Sequence, residues 1–148
     1  MKNTLSNSFK FDLDLSFVSF PIDELEVCID SQTKELLKSS CLWKVEISNW
    51  ISFIQNNEQL ICPQIVRDAS KVSLGLELTN DKKISELNHV WLGKLKSTDV
   101  LSFPIIDELS FPLIHDTIEL GDIVISVPTA IRQAKENDVN LFKELRWL

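Results

Sequence analysis

Two aspartates stand at the entrances of short apolar runs, and these runs carry the residues best suited to chemistry. Asp99 precedes the run that ends at Pro104, and Asp122 precedes Ile-Val-Ile-Ser126. Ser102 lies inside the first run, so a carboxylate and a hydroxyl share one short segment. Proline has no amide hydrogen for a sheet, so Pro104 suits a strand end or an edge strand. The structural alternative is that both aspartates cap turns where strands begin.

Other arrangements of catalytic groups have little support. The chain has two histidines, His89 and His115, without the spacing of a helical metal-binding pair. A Ser-His-Asp triad can be assembled from Ser102, His89 and Asp122, but no Gly-x-Ser-x-Gly turn presents the serine. Three scattered glycines do not make a phosphate-binding loop.

The composition is that of an acidic globular chain. Of 148 residues, 44% are hydrophobic and 25% are charged, and we predict one domain over residues 1–148. The net charge of −7 argues against a broad electrostatic surface for nucleic acid, although Lys94 and Lys96 could serve a local groove. No stretch approaches the ~20 apolar residues of a membrane span. We therefore expect no membrane partner.

The cysteines indicate a reducing compartment. Cys28, Cys41 and Cys62 are odd in number, widely spaced and without a Cys-x-x-Cys pair. We expect reduced, mostly buried thiols in a cytoplasmic protein, without a metal or redox role.

Hydrophobic periodicity places the elements that must position the candidate residues. Strict alternation predicts strands over 9–17 and 71–78, and apolar runs predict strands over 100–105 and 123–127. Helical spacing predicts helices after Pro21, over 41–56, after Asn80 and after Pro128, and Pro112 lies in a predicted loop. The order predicts an α+β fold: a single mixed sheet of about four strands with helices packed on it.

The last residues form one more apolar helical stripe. Leu141, Leu145 and Leu148 follow one another at i, i+4 and i+7, and the helix reaches Leu148 without a cap. Nine residues are few for a helix, so we expect that a further segment follows or once did.

Several segments together resemble one family. Thr98-Asp-Val-Leu-Ser-Phe-Pro104 resembles the signature of the YbeY family of bacterial metal-dependent endoribonucleases. The resemblance runs in order from about Val72 to Leu148, and its other blocks are Glu86-Leu-Asn88, Leu120-Gly-Asp-Ile-Val-Ile-Ser126 and Thr129-Ala-x-Arg-Gln-Ala134.

The resemblance implies a single-strand-specific endoribonuclease that matures the end of small-subunit ribosomal RNA and takes part in ribosome quality control. Its partners would be ribosomal RNA and the small ribosomal subunit, not DNA. Family members hold one zinc ion with three histidines in a His-x-x-x-His-x-x-x-x-x-His motif. Zinc held by three protein ligands can lower the pKa of a bound water to about 7. Thr98, Asp99, Ser102, Asp122 and Lys94 would line the substrate cleft.

Two departures bear on activity. Neither histidine falls at a ligand position, and the motif would begin just after Leu148, so we expect no stoichiometric zinc on this chain. Leu92 occupies the position of a family arginine thought to assist on the RNA phosphate, and leucine offers no charge. Lys94 lies two residues away and could compensate in part.

Two functional hypotheses remain open at this point. In the first, the chain is a shortened form of the metallo-endoribonuclease. In the second, it is a non-catalytic relative that binds ribosomes or RNA, which Leu92 and the net charge of −7 favour slightly. The third interpretation is an α+β domain unrelated to this family.

Overall fold

One mixed β-sheet forms the centre of the molecule. The computed structural model describes residues 10–25, 27–105 and 117–148. Its strands are β1 Asp12–Val18, β2 Lys71–Thr79, β3 Val100–Pro104 and β4 Thr117–Ser126. They lie in the order β1-β2-β4-β3, with β2 parallel to both β1 and β4, and β3 antiparallel to β4 at one edge. This sheet with its helices confirms the predicted α+β class.

Six α-helices are present among the described residues, and side chains cap most of their N-termini. The helices are α1 Ser31–Lys38, α2 Ser40–Asn56, α3 Gln64–Arg67, α4 Asp81–Leu92, α5 Val127–Glu136 and α6 Leu141–Trp147. Short polar side chains accept the free amides of the first turn. These caps are Asp30, Ser39, Asn80, Ser126 and Asn140.

The main hydrophobic core lies on one face of the sheet. Alternate side chains of β2 point to this face because successive residues of a strand face opposite ways. Helices α1, α2, α5 and α6 contribute their buried residues to the same core. Trp43 of α2 is 1% exposed, and its Nε1 donates a hydrogen bond to the carbonyl oxygen of Leu36 at 2.9 Å. The core residues of β2 are Val72, Leu74, Leu76 and Leu78.

Helix α4 packs on the opposite face of the sheet over a smaller core. Ile84 of α4, Leu101 of β3 and Val124 of β4 are buried together there. Leu87 and Phe103 are partly buried against them. The small size of this cluster leaves part of the α4 face open.

A β-bulge in β4 sets the register of the sheet. Ser73 pairs with Glu119, whereas the next residue of β2, Leu74, pairs with Gly121. Leu120 is therefore an additional residue in β4. Every side chain after the bulge faces the side opposite to the one that regular pairing would give it.

Two glycines permit this arrangement. Gly121 has a φ of 117°, and a Cβ at this residue would lie 2.1 Å from the carbonyl oxygen of Phe103. Only glycine fits there without moving the backbone. Gly75 pairs with Asp122, and a Cβ at Gly75 would lie 1.9 Å from the Oδ1 of that aspartate. The missing side chain thus makes room for the carboxylate.

The elements agree with the predicted ones at most positions. Each predicted strand is present, although Phe9 and the loop around Pro112 lie outside the described residues. The helix predicted after Pro21 is wrong in position: only a 3-10 turn, Ile22–Glu24, follows, and α1 begins after the Asp30 cap. The short helix α3 was not predicted.

The prediction of mostly buried thiols is wrong. Cys28, Cys41 and Cys62 are free, but the first two are exposed and the third is half-buried. The apolar stripe of α2 runs through Trp43 and Ile47 and leaves Cys41 on the outer side of the helix. None of the described helices is long and apolar enough to cross a membrane.

Candidate functional site at the β3 edge

Asp99 stands at the entrance of β3 within a dense set of hydrogen bonds. Its Oδ1 accepts bonds from the backbone amide of Val100 at 2.8 Å and the hydroxyl of Thr98 at 3.0 Å. Its Oδ2 accepts a bond from Nε2 of Gln133, on α5, at 2.9 Å. The backbone amide of Ser126 also donates to the Asp99 carbonyl oxygen at 2.7 Å. These contacts join the start of β3 to the junction of β4 and α5.

The charge of Asp99 is stabilised by these donors. Burial raises the pKa of its carboxyl, but the hydrogen bonds from Gln133, Val100 and Thr98 outweigh burial and hold the pKa below its ordinary value. An ionised, multiply bonded carboxylate suits a fixed structural anchor better than a proton-transferring group. The turn-capping alternative therefore describes the contacts of Asp99.

A second aspartate, Asp81, anchors the first turn of α4. Its Oδ1 accepts hydrogen bonds from the hydroxyls of Ser126 at 2.5 Å and Thr129 at 2.7 Å. Its Oδ2 lies 2.8 Å from Nη2 of Arg132. Burial raises the pKa of Asp81, but the hydrogen bonds and the charge of Arg132 together lower it by more. The pKa of Asp81 therefore lies below its ordinary value.

These contacts give structural roles to the polar residues of the sequence block from Thr129 to Ala134. Thr129 and Arg132 hold Asp81, and Gln133 holds Asp99. The polar residues of α5 thus fix both α4 and β3 against the end of β4. They act on the site through the elements that they position.

Asp122 is the exposed carboxylate of the site. It lies on the α4 face above Gly75 and pairs in register with Phe103 of β3. Asp122 is solvent-exposed, and no hydrogen bond or ion pair joins it to another described residue. Such a carboxylate is available to accept hydrogen bonds from a bound molecule.

A groove lies beside Asp122 on the α4 face, and we call it the α4 groove. Its volume is about 870 Å³. Mostly apolar walls surround the carboxylate, and the ion pair between Lys83 and Glu77, at 2.6 Å, borders it. The residues that define it are Gly75, Leu87, Trp91, Leu92, Phe103 and Asp122.

A second groove lies on the other face of the sheet, and we call it the α2 groove. It has a volume of about 510 Å³ and apolar walls from α2 and the end of α6. The two grooves meet at the β3–β4 edge. The residues that line both include Ser102, Phe103, Pro104 and Asp122.

The structure brings together some of the predicted site residues and separates others. Ser102 is exposed and lines both grooves with Asp122. Thr98 and Asp99 line neither, because they face Gln133 at the strand entrance. Lys94 is exposed on the loop after α4 and lines neither groove.

The end of α4 is apolar where the resemblance implies a cation. Leu92 is 57% exposed, and Trp91 beside it is 65% exposed. Both line the α4 groove. Sequence reasoning missed Trp91 because its helical spacing from Ile84 and Leu87 indicated packing. The sequence did contain a signal for an exposed Trp91: the residue lies in the last turn of the helix, two positions before the Gly93 that ends it.

The described residues do not form a metal site. His89 is exposed on α4, and His115 lies outside the described part of the chain. No group of three His, Cys, Asp or Glu side chains that could hold a metal ion is present in residues 10–25, 27–105 and 117–148.

The family model and the two relatives reported below carry the same description. A family model described as "Endoribonuclease YbeY" matches residues 28–148. A Prochlorococcus marinus (strain NATL2A) protein of that description is 60% identical over 148 residues, covering 100% of this chain and 80% of its own length. The one from strain MIT 9313 is 46% identical over 144 residues, covering 97% and 76%.

A solution structure of a Thermotoga maritima protein is similar at a TM-score of 0.49 and 18% identity. The match covers 89% of this chain and 64% of that one.

The family model and the two Prochlorococcus relatives define the class of protein as an RNA-cleaving hydrolase, an endoribonuclease. The chain belongs to the endoribonuclease YbeY family.

Proposed function

We propose that this chain binds single-stranded ribosomal RNA at the β3–β4 edge and acts in maturing the end of small-subunit ribosomal RNA. The observation that carries the proposal is the meeting of the two grooves at Ser102 and Asp122. Membership of an endoribonuclease family supplies the substrate class. Ribosome quality control, the small ribosomal subunit as partner and a cytoplasmic location belong to the same proposal.

Some of the site residues would contact the RNA, and others would hold the elements of the site in place. Asp122 and Ser102 would accept or donate hydrogen bonds to the RNA, since both are exposed in the grooves. Thr98 and Asp99 would hold β3 in place through Gln133. Lys94, as an exposed cation after α4, would attract a phosphate without a fixed geometry.

Zinc does not fit the residues that the structure describes. The resemblance requires three histidine ligands, whereas the sequence has two histidines, at positions that the motif does not use. We propose that the 148-residue chain binds no stoichiometric zinc. Metal analysis of the purified chain tests this directly, and one tightly bound zinc per chain contradicts it.

A non-catalytic role is the second candidate function. Leu92, exposed at the α4 groove, replaces the family arginine and cannot neutralise charge on a phosphate. In that case the chain would bind ribosomes or RNA without cleaving them. We expect cleavage to be the property that separates the two candidates, not binding.

The deciding experiment compares binding and cleavage by three proteins. These are the 148-residue chain, its Asp122→Ala variant, and the chain with a His-x-x-x-His-x-x-x-x-x-His segment appended after Leu148. We expect the first to bind single-stranded ribosomal RNA without cutting it, and the second to bind more weakly. Cleavage by the third protein favours the enzyme, whereas ribosome co-sedimentation without cleavage favours the binding module. The absence of RNA binding by the unaltered chain contradicts both.

A further inference from the structure

The α4 groove has an exposed aromatic residue, Trp91, on its rim. Trp91 is 65% exposed at the last turn of α4. A tryptophan side chain left in water forgoes a large gain from burial, so an exposed one beside a groove marks a binding surface. Helix α4 is well formed without it, because Ile84 and Asn88 provide the buried contacts of that helix.

The ring of Trp91 is held in place by a neighbour. The ring of Phe103, on β3, lies with its centroid 5.6 Å from that of Trp91 at an interplanar angle of 60°. This edge-to-face contact orients the indole and keeps much of its surface free. Phe103 pairs in register with Asp122, so the aromatic rim is joined to the strand that carries the exposed carboxylate.

The surroundings of Trp91 suit a nucleotide. The α4 groove, at about 870 Å³, is large enough for one unpaired nucleoside. Asp122 on its floor can accept hydrogen bonds from the amino or imino groups of a base. Lys94 and Lys96 are exposed on the loop that follows α4 and can meet backbone phosphates.

We propose that Trp91 stacks on an unpaired base of single-stranded RNA and that Phe103 orients it for this contact. The inference rests on the proposed function, because that function supplies RNA as the ligand. Stacking would supply affinity beside Leu92, which offers no charge to a phosphate. Base stacking on aromatic side chains requires an unstacked base, so the contact would select single-stranded over duplex RNA.

The test measures binding of a fluorescently labelled, short single-stranded RNA to four proteins by anisotropy. They are the unaltered chain, Trp91→Ala, Trp91→Phe and Phe53→Ala. Phe53 is the matched control: it is 62% exposed but lies on α2, away from the α4 groove. Circular dichroism and urea unfolding establish that each variant is folded.

We expect Trp91→Ala to raise Kd about 5-fold to 150-fold, since stacking contributes about 1–3 kcal/mol per base. Trp91→Phe should recover much of the affinity, and Phe53→Ala should bind like the unaltered chain. Unlabelled RNA should also quench part of the intrinsic tryptophan fluorescence of the unaltered chain. This quenching should be missing in the Trp91→Phe variant, which lacks that indole. With the same RNA annealed to its complement, Trp91→Ala and the unaltered chain should bind equally.

Three outcomes overturn the inference, and they are distinguishable. If the unaltered chain binds the RNA and Trp91→Ala binds it equally well, stacking is excluded while the proposed function stands. If the unaltered chain does not bind RNA at all, both fail. An equal loss of affinity for single-stranded and duplex RNA also excludes stacking, because paired bases offer no free face.

Discussion

Replacing Gly121 by alanine should destabilise the fold more than the same change at any exposed glycine. The residue sits in the β4 bulge with a φ of 117°, where L side chains are strained. Its Cβ would also lie 2.1 Å from a backbone oxygen, that of Phe103. A backbone atom in a paired strand cannot rotate away as a side chain can. The strands β3 and β4 would have to separate locally.

The magnitude follows from these two effects. Backbone strain in a sparsely populated region costs about 1–3 kcal/mol, and forced overpacking costs about 1–3 kcal/mol more. We therefore expect Gly121→Ala to lose about 3–5 kcal/mol, a large share of a typical stability of about 5–15 kcal/mol. Gly93→Ala provides the control because Gly93 also has positive φ, 68°, but a Cβ there meets nothing within 4 Å. It should lose only about 1–2 kcal/mol.

Urea unfolding followed by circular dichroism measures the difference. With a urea m-value of about 2 kcal/mol/M, Gly121→Ala should lower the midpoint by roughly 1.5–2.5 M and Gly93→Ala by under about 1 M. Equal midpoint shifts for the two variants would refute the reasoning. They would mean that positive φ alone determines the loss and that the contact with Phe103 is relieved without cost.

The remaining predictions concern the anchor of α4 and the main core. The folded-state pKa of Asp81 lies below its ordinary 3.8, so its contribution to stability is present above that pH and is lost as pH falls through the lowered value. Asp81→Asn should lose about 1–2 kcal/mol at pH 7 through the weakened contact with Arg132, and unfolding curves of the two proteins should converge in acid. Trp43→Phe should cost about 2–4 kcal/mol by leaving the Leu36 carbonyl unpaired and a cavity behind. Trp147→Phe, at an 86% exposed residue, should change stability by less than about 0.5 kcal/mol in the same unfolding assay.

Much of the fold could be predicted because its elements carry strong local signals. The alternation of β2, the Asn80 cap of α4 and Pro128 in the first turn of α5 each specify an element without long-range contacts. The helix after Pro21 could not be placed because the region has weak periodicity and the cap at Asp30 decided its start. The prediction that residues 1–148 form one domain remains a prediction.

The site was less accessible to sequence reasoning, for a physical reason. Asp99 and Asp122 have the same local pattern, an acid before an apolar run, yet one carboxylate is held by Gln133 and the other is exposed. The difference depends on α5, which meets β3 only in the folded chain. The helical spacing of Trp91 from Ile84 and Leu87 predicted that it packs in the core. That spacing does not show where along α4 the sheet stops covering the helix, and Trp91 lies beyond that point. Sequence could propose these residues, but only the fold gives them their different surroundings.

The bulge of β4 decides which side of the sheet the rest of that strand presents. If pairing continued regularly after Glu119, Leu120 would stand opposite Leu74 and Asp122 opposite Leu76 of the core. The extra residue instead places Asp122 opposite Gly75 and turns Ile123 toward the main core. Deleting Leu120 would remove the bulge and keep these partners, whereas deleting Ile123 would move the residues on one side of the deletion to the other face of the sheet. We therefore expect a single-codon deletion at Leu120 to disturb the fold less than one at Ile123.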